Sequence, residues 1–209
     1  MHKTDLATYL QQQLVKQQID ITAEQHQQLV SYLKLLDKWN KAYNLTSIRD
    51  PYEMVTKHIL DSLVVAPYLQ GKKFIDVGTG AGLPGIPLAI LQPQLQFTLL
   101  DSLGKRIRFL TQVKQAINLP NVTLVQSRVQ DYQQQQFDGI LSRAFSCLAD
   151  MLLWCKHLAT NNGYFYALKG VYPAEELAQI AADYHYQVVE LKVNNLHAER
   201  HLIIVTNKA

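Results

Sequence analysis

Phe74-Ile75-Asp76-Val77-Gly78-Thr79-Gly80-Ala81-Gly82-Leu83-Pro84-Gly85 is the stretch that decides the fold. An apolar run ends in an acid, glycines follow at positions 78, 80, 82 and 85, and an apolar helical run comes next. The pattern predicts a strand that turns sharply into a helix, with glycine supplying the positive φ and close backbone approach the turn needs. The helix start offers free N–H groups and the positive end of a dipole to a ligand. The stretch therefore reads as a nucleotide-cofactor site.

Outward from it, strand-like runs fall at 72–77, 95–101, 122–126, 137–142 and 163–169, and helical runs at 83–92, 103–117, 147–158 and 173–182. Apolar strands alternating with helices predict an α/β, doubly wound, mostly parallel sheet covered on both faces. The tail breaks the alternation. Two β-rich runs, 186–193 and 200–206, are joined by a short polar stretch and predict an antiparallel hairpin finishing the sheet. Upstream, residues 4–18 and 22–45 carry helical spacing, with Leu6, Leu10 and Leu14 on one face and Leu29, Leu33, Leu36 and Tyr43 on the other. Thr22 and Gln25 have the spacing of a capping box, and Asp50-Pro51-Tyr52-Glu53 is a helix start. Gly71 marks a soft boundary between a helical extension, 1–70, and the α/β unit, 71–209.

Bulk properties exclude several classes. The 209 residues are 48% hydrophobic, ordinary for a globular fold. There is no leader-like segment and no apolar run long enough to span a bilayer, so the cytoplasm is the expected location. Cys147 and Cys155 stand eight apart in one predicted helix, too far for a bridge, and read as free thiols. Seven histidines are scattered without metal-site spacing, so no metal centre is expected. The net charge of +3 is mild, but between Ser102 and Gln130 five basic residues (Lys105, Arg106, Arg108, Lys114, Arg128) occur with no acid. Such a run either attracts a polyanion or is a solvated helix face.

Two cofactors fit the glycine loop. Gly80-x-Gly82-x-x-Gly85 with Asp101 about 20 residues on matches a dinucleotide fingerprint, which would make the chain an NAD-dependent oxidoreductase. Asp76 at the strand end, and prolines at 84 and 87 in the early helix, fit that version poorly. S-adenosylmethionine lacks a pyrophosphate and has an ammonium group and a ribose. One acid, Asp76, stands where it can face the ammonium side, and a second, Asp101, where it can take the ribose hydroxyls. The two-acid pattern with a terminal hairpin favours this cofactor.

The acceptor chemistry is constrained by what is missing. The fourth strand ends Ser142-Arg143-Ala144-Phe145, with no Pro-Pro pair to steer an exocyclic amine and no Pro-Cys nucleophile. A ring nitrogen with a free lone pair, such as guanine N7, needs only alignment and electrostatics. Arg143 is a candidate to hold the cofactor carboxylate or an acceptor-rich base edge, and Phe145 to stack on a base or to pack in the core. His58 is a candidate substrate residue or a buried structural histidine.

Trp39-Asn40-Lys41-Ala42-Tyr43-Asn44-Leu45-Thr46, Lys57-His58-Ile59-Leu60-Asp61-Ser62, the glycine loop, Leu100-Asp101-Ser102 with Lys105-Arg106, Ser142-Arg143-Ala144 and Leu168-Lys169-Gly170 occur in this order. Together these six blocks closely resemble the bacterial ribosomal RNA small subunit methyltransferase G family, also called glucose-inhibited division protein B. The resemblance spans nearly the whole chain. It implies a seven-stranded class I methyltransferase (Rossmann-like) sheet and transfer of a methyl group from S-adenosylmethionine to N7 of one guanine of 16S rRNA, near the decoding centre of the 30S subunit. It implies cofactor contacts at Gly78 and Leu83, with Val129 and Gln130 flanking the adenine and Arg143 in the cofactor or substrate pocket. Asp76, Gly80 and Asp101 complete the expected cofactor set. Relatives often carry an acid where Gln130 stands, so altered affinity is expected there. His58, Lys105, Arg106, Arg108, Phe145 and Lys169 are the expected RNA contacts, on a chain expected to act as a monomer. A non-catalytic ribosome-associated RNA-binding module is the other reading kept open.

Overall fold

A computed structural model describes residues 4–143 and 147–208. Its seven strands are β1 (Lys73–Val77), β2 (Gln96–Asp101), β3 (Val122–Gln126), β4 (Phe137–Arg143), β5 (Ala159–Lys169), β6 (Tyr184–Glu190) and β7 (His201–Asn207). They form one sheet in the order β3-β2-β1-β4-β5-β7-β6. The first five are parallel; β7 runs antiparallel to both β5 and β6. The expected hairpin is present, with β7 inserted beside β5 and β6 outermost.

Helices α1 (Leu6–Lys16) and α2 (Ala23–Tyr43) precede the sheet. Asp5 caps α1 by accepting from the Ala7 and Thr8 amides, and Thr22 and Gln25 form the reciprocal capping box on α2. Next come α3 (Pro51–Met54), a π-helical stretch (Val55–Leu60) and α4 (Asp61–Leu63) as one continuous helical run. Asp50 caps it, with Pro51 in the first turn where no amide hydrogen is needed. Within the sheet region, α5 (Gly85–Leu91), α6 (Gly104–Ala116), α7 (Leu148–Cys155) and α8 (Ala174–Ala178) connect the strands.

The sheet is buried on both faces. One apolar cluster joins α1, α2, the 51–66 run, α5 and α6 to the face containing Phe74, Phe97, Leu99 and Leu141. The other packs α7 and α8 onto Ile75, Val77, Ile140, Phe165 and Ile203. Residues on both sides of Gly71 share the first cluster. Polar ties reinforce it: the Tyr32 hydroxyl donates to Ala81 O at 2.8 Å, and the Gln25 side-chain amide donates to Ile90 O at 2.9 Å. Among the described residues no helix is long and apolar enough to cross a membrane.

Four boundaries differ from expectation. The strand expected over 186–193 ends at Glu190, because Leu191 and Val193 turn into the first cluster while Gln17 of the α1 C-terminus binds Lys192 O and Asn194 N. Strand β5 starts earlier than expected, since Ala159 already pairs with Phe137 across a bulge. The helix expected over 147–158 is α7 followed by a 3-10 turn, and the one expected over 173–182 is only five residues long.

Parallel pairing has one consequence that builds the site. The carboxyl ends of β1, β2, β4 and β5 all emerge on the same edge of the sheet. Asp76, Asp101, Arg143 and Lys169 occupy those ends, so residues up to 93 positions apart in sequence meet at one crest.

Candidate functional site

The glycine loop is held from beneath. Asp76 is fully buried, and its Oδ2 accepts from the Thr79 hydroxyl at 2.6 Å and from the Gly85 amide at 2.9 Å. Its Oδ1 has no hydrogen-bond partner. A Cβ on Gly85 would lie 2.2 Å from Leu99 Cδ2 and 2.8 Å from Asp76 Oδ2, so only glycine lets α5 seat this close to the sheet. Gly80 differs: its φ of +61° is what favours glycine there, while a Cβ would meet only Gly78 O at 3.9 Å. The outer side of the loop is therefore open.

Asp101 organises that open side. Its Oδ2 accepts from the Gly80 amide and from Arg106, both at 3.0 Å, and its Oδ1 accepts from the Leu103 amide at 2.9 Å. A carboxylate offers about four acceptor sites, so three are already occupied. Arg106 is the partner able to move: its side chain is 35% exposed against 2% for Asp101, whereas the two amides are fixed in the backbone. A cavity of about 400 Å³ opens here, lined by Gly78, Asp101, Ser102, Arg128, Val129, Gln130 and Trp154 among others.

The second half of the site is a cavity of about 460 Å³ lined by Thr46, Lys57, His58, Asp61, Arg143, Lys169 and Arg200 among others. Asp61 is its anchor. Its Oδ2 accepts from Arg143 at 3.2 Å and its Oδ1 from Arg200 Nε at 2.7 Å. One buried carboxylate thus orients two guanidiniums, one from the end of β4 and one from the residue before β7, and Lys57 O adds a second acceptor for Arg143 at 3.1 Å. The π-helical stretch buries Thr56 and His58, and α4, which follows it directly, buries Asp61. Asn40 shapes the opposite wall by donating to Ile48 O and accepting from the Thr46 amide.

His58 Nδ1 lies 2.9 Å from Lys57 O. A carbonyl only accepts, so Nδ1 carries the hydrogen and Nε2 accepts from the Thr46 hydroxyl at 2.8 Å. Burial, reinforced by the nearby Arg143 charge, lowers the His58 pKa to about 4. Burial raises that of Asp76 to about 7, against the opposing hydrogen bonds from Thr79 and Gly85. The two groups pull stability in opposite directions. Between pH 4 and 6.5 the unfolded chain protonates His58 and the folded one does not, so acidification destabilises. Between pH 3.8 and 7 folded Asp76 holds a proton that the unfolded chain has shed, so acidification stabilises. Urea unfolding is therefore expected to separate them. Relative to wild type, Asp76→Asn should lose more stability as pH falls from 6.5 to 4.5, and His58→Gln should lose less. The differences should be of order 1–2 kcal/mol across that window, near the 1.4 kcal/mol per unit that one proton allows. Parallel pH curves for all three proteins would refute the pKa assignments.

The expected site residues divide as follows. Gly78, Asp101, Val129 and Gln130 line the first cavity, and His58, Arg143 and Lys169 the second. Asp76 and Leu83 line neither; both are buried, Leu83 in the first apolar cluster. Arg106 was expected on an RNA-facing helix surface with Lys105 and Arg108; it instead turns inward to Asp101, because α6 begins directly over that carboxylate. Lys105 and Arg108 are exposed, with Lys105 reaching Tyr43 O at 3.4 Å. Phe145 lies outside the described residues. Sequence reading missed Arg200, Trp154 and Glu176. Arg200 sits just before β7 with no motif around it. Glu176 binds Lys169 Nζ at 2.8 Å and the Leu148 amide at 2.6 Å, a contact that needs the folded chain to exist. Cys155 is a buried thiol pushed up to about 12, which leaves it protonated at neutral pH.

The sequence model of the rRNA small subunit methyltransferase G family, GidB, matches residues 25–203. The chain is 58% identical over 193 residues to the ribosomal RNA small subunit methyltransferase G of Klebsiella pneumoniae, covering 91% of this chain and 93% of that one. It is 60% identical over 188 residues to the protein of that name from Glaesserella parasuis, covering 90% and 93%. Among solved structures, tRNA (m1A58) methyltransferase TrmI from Aquifex aeolicus superposes with a TM-score of 0.58 at 15% identity, over 71% of this chain and 68% of that one. TYW2 of P. horikoshii in complex with MeSAdo gives 0.55 at 13% identity, over 74% and 63%. At such identities the structural likeness speaks for the fold alone.

Proposed function

Because this chain belongs to the rRNA small subunit methyltransferase G family, we infer that it transfers the methyl group of S-adenosylmethionine to N7 of a guanine in 16S rRNA. The observation that carries the reading within the molecule is the pair of cavities at one sheet crest. One is built on the glycine loop and Asp101, and the other is walled by Arg143, Arg200, Lys169 and Lys57. The oxidoreductase alternative falls with the family match.

The first cavity fits the cofactor. Gly80 leaves its outer face open, Asp101 presents a carboxylate that Arg106 can vacate for ribose hydroxyls, and Val129 offers an apolar wall to an adenine. The Gln130 side-chain carbonyl can accept from the adenine amino group. Asp76 lines neither cavity and supports the cofactor from beneath, by tying the glycine loop to α5. The cofactor supplies an electrophilic methyl group on a sulfonium. The residues of the second cavity orient the acceptor. Guanine presents O6 beside N7, and Arg143 can donate to O6 while the N7 lone pair stays free for the methyl group. The N7 lone pair forms the new N–C bond as the S–C bond breaks, so no proton needs removal in the transfer itself. His58, neutral with its Nε2 bonded to Thr46, is accordingly assigned to shaping the wall and not to proton transfer.

Incubating the protein with tritiated S-adenosylmethionine and 30S subunits lacking this methyl group tests the reading. Label is expected on one guanine, released by the mild depurination typical of N7-methylguanine; label on another base, or none, overturns it. The intact small subunit as substrate, a monomeric enzyme and a cytoplasmic location are further parts of the proposal. Subunit binding should weaken steeply with salt as phosphate counterions are displaced, with Lys105, Arg108 and Lys169 contributing.

A further inference from the structure

We propose that the exposed ring of Tyr172 is the stacking platform for the nucleobase next to the target guanine, a role that rests on the acceptor reading of the second cavity. Val171 and Tyr172 are 75% and 51% exposed. They directly follow Lys169 and Gly170, which line the cavity. Two residues of chain reach at most about 7 Å, so the Tyr172 backbone stands close to the Gly170 edge of the opening.

The ring is held in place. Tyr172 packs edge-on against His201, with centroids 5.6 Å apart and planes at 82°. His201 is itself buried, and its Nδ1 donates to Gly170 O at 2.8 Å, which fixes the imidazole. Pro173 follows and restricts the Tyr172 backbone to extended conformations. The loop is short, running from the end of β5 to α8, and Glu176 of α8 clamps it through Lys169 Nζ and the Leu148 amide. The outward face of the tyrosine is thus presented at little entropic cost.

A base lifted into the cavity leaves its stack and strips its neighbour of a partner, at a cost of about a few kcal/mol. An aromatic face at the rim, beside lysine and arginine, replaces that lost stack; this combination is how proteins hold single-stranded nucleic acid irrespective of sequence. None of the described residues that line the cavity offers an exposed aromatic face, so Tyr172 just beyond Gly170 supplies it.

The test is steady-state methylation of 30S subunits lacking the methyl group by wild type, Tyr172→Ala and Tyr172→Phe. The alanine variant is expected to raise KM for subunits by about ten- to a hundred-fold, the size of one lost base–aromatic stack. Its kcat and its KM for S-adenosylmethionine should stay within about two-fold of wild type, as should every parameter of the phenylalanine variant, because the ring and not the hydroxyl does the stacking. The salt slope of KM should not change in Tyr172→Ala, since a stack displaces no counterions. Wild-type KM in the alanine variant, or an equal defect in the phenylalanine variant, overturns the platform while leaving the acceptor reading intact. No transfer by the wild type to subunits or to free 16S rRNA overturns the acceptor reading and the platform with it.

Discussion

Replacing Asp101 by alanine is expected to weaken S-adenosylmethionine binding by at least about a hundred-fold, which titration calorimetry will register as loss of measurable heat at micromolar protein. Two effects combine. The carboxylate that would take the ribose hydroxyls is gone. The Gly80 and Leu103 amides also lose their acceptor, so the loop and the start of α6 lose their registration. Each such bond to a charged group contributes about 1.5–3 kcal/mol. Asp101→Asn should be nearly as damaging: one oxygen can still serve Leu103, but the amide nitrogen then faces the Gly80 N–H and Arg106, donor against donor. A melting scan run alongside separates loss of the site from loss of the fold. Unaltered affinity in a folded alanine variant would remove Asp101 from the cofactor site.

Arg143→Ala is the second change of large expected effect, and it should act on the rate. A fall in kcat of about a hundred-fold is expected, the scale of misplacing a reacting atom by about 1 Å. Cofactor affinity should stay within about three-fold, because Arg143 lines the acceptor cavity and not the one beside Asp101. The fold should survive. Asp61 keeps Arg200 at 2.7 Å, and the arginine side chain is 21% exposed, so water can reach the vacated acceptors. Single-turnover methylation with pre-bound cofactor isolates the step. Equal rates in wild type and variant would exclude Arg143 from the reaction.

Those two residues were legible in the sequence for a shared reason. Each closes an apolar run that reads as a strand, and a parallel sheet sends such ends to one edge. Asp76 was legible in the same way, yet its surroundings were not. Sequence placed it facing a ligand; the fold shows a buried carboxylate whose Oδ2 ties the loop to α5 while Oδ1 is left without a partner. Arg106 shows the limit of reading charge along a chain. A run of basic residues without acids says nothing about which one turns inward, and that is settled by the position of α6 over Asp101.

Local chemistry settled what is local. The capping box at Thr22 and Gln25, the Asp50-Pro51 helix start and the strand–glycine–helix turn each arise from hydrogen bonds and torsional preferences within a few residues, so they could be read directly. Tertiary structure decided what depends on distant segments arriving together. Asp61 became the joint anchor of Arg143 and Arg200 only because a π-helical stretch, the end of β4 and the approach to β7 converge on one buried point. Desolvation at that convergence, with the Arg143 charge beside it, is what lowers the His58 pKa.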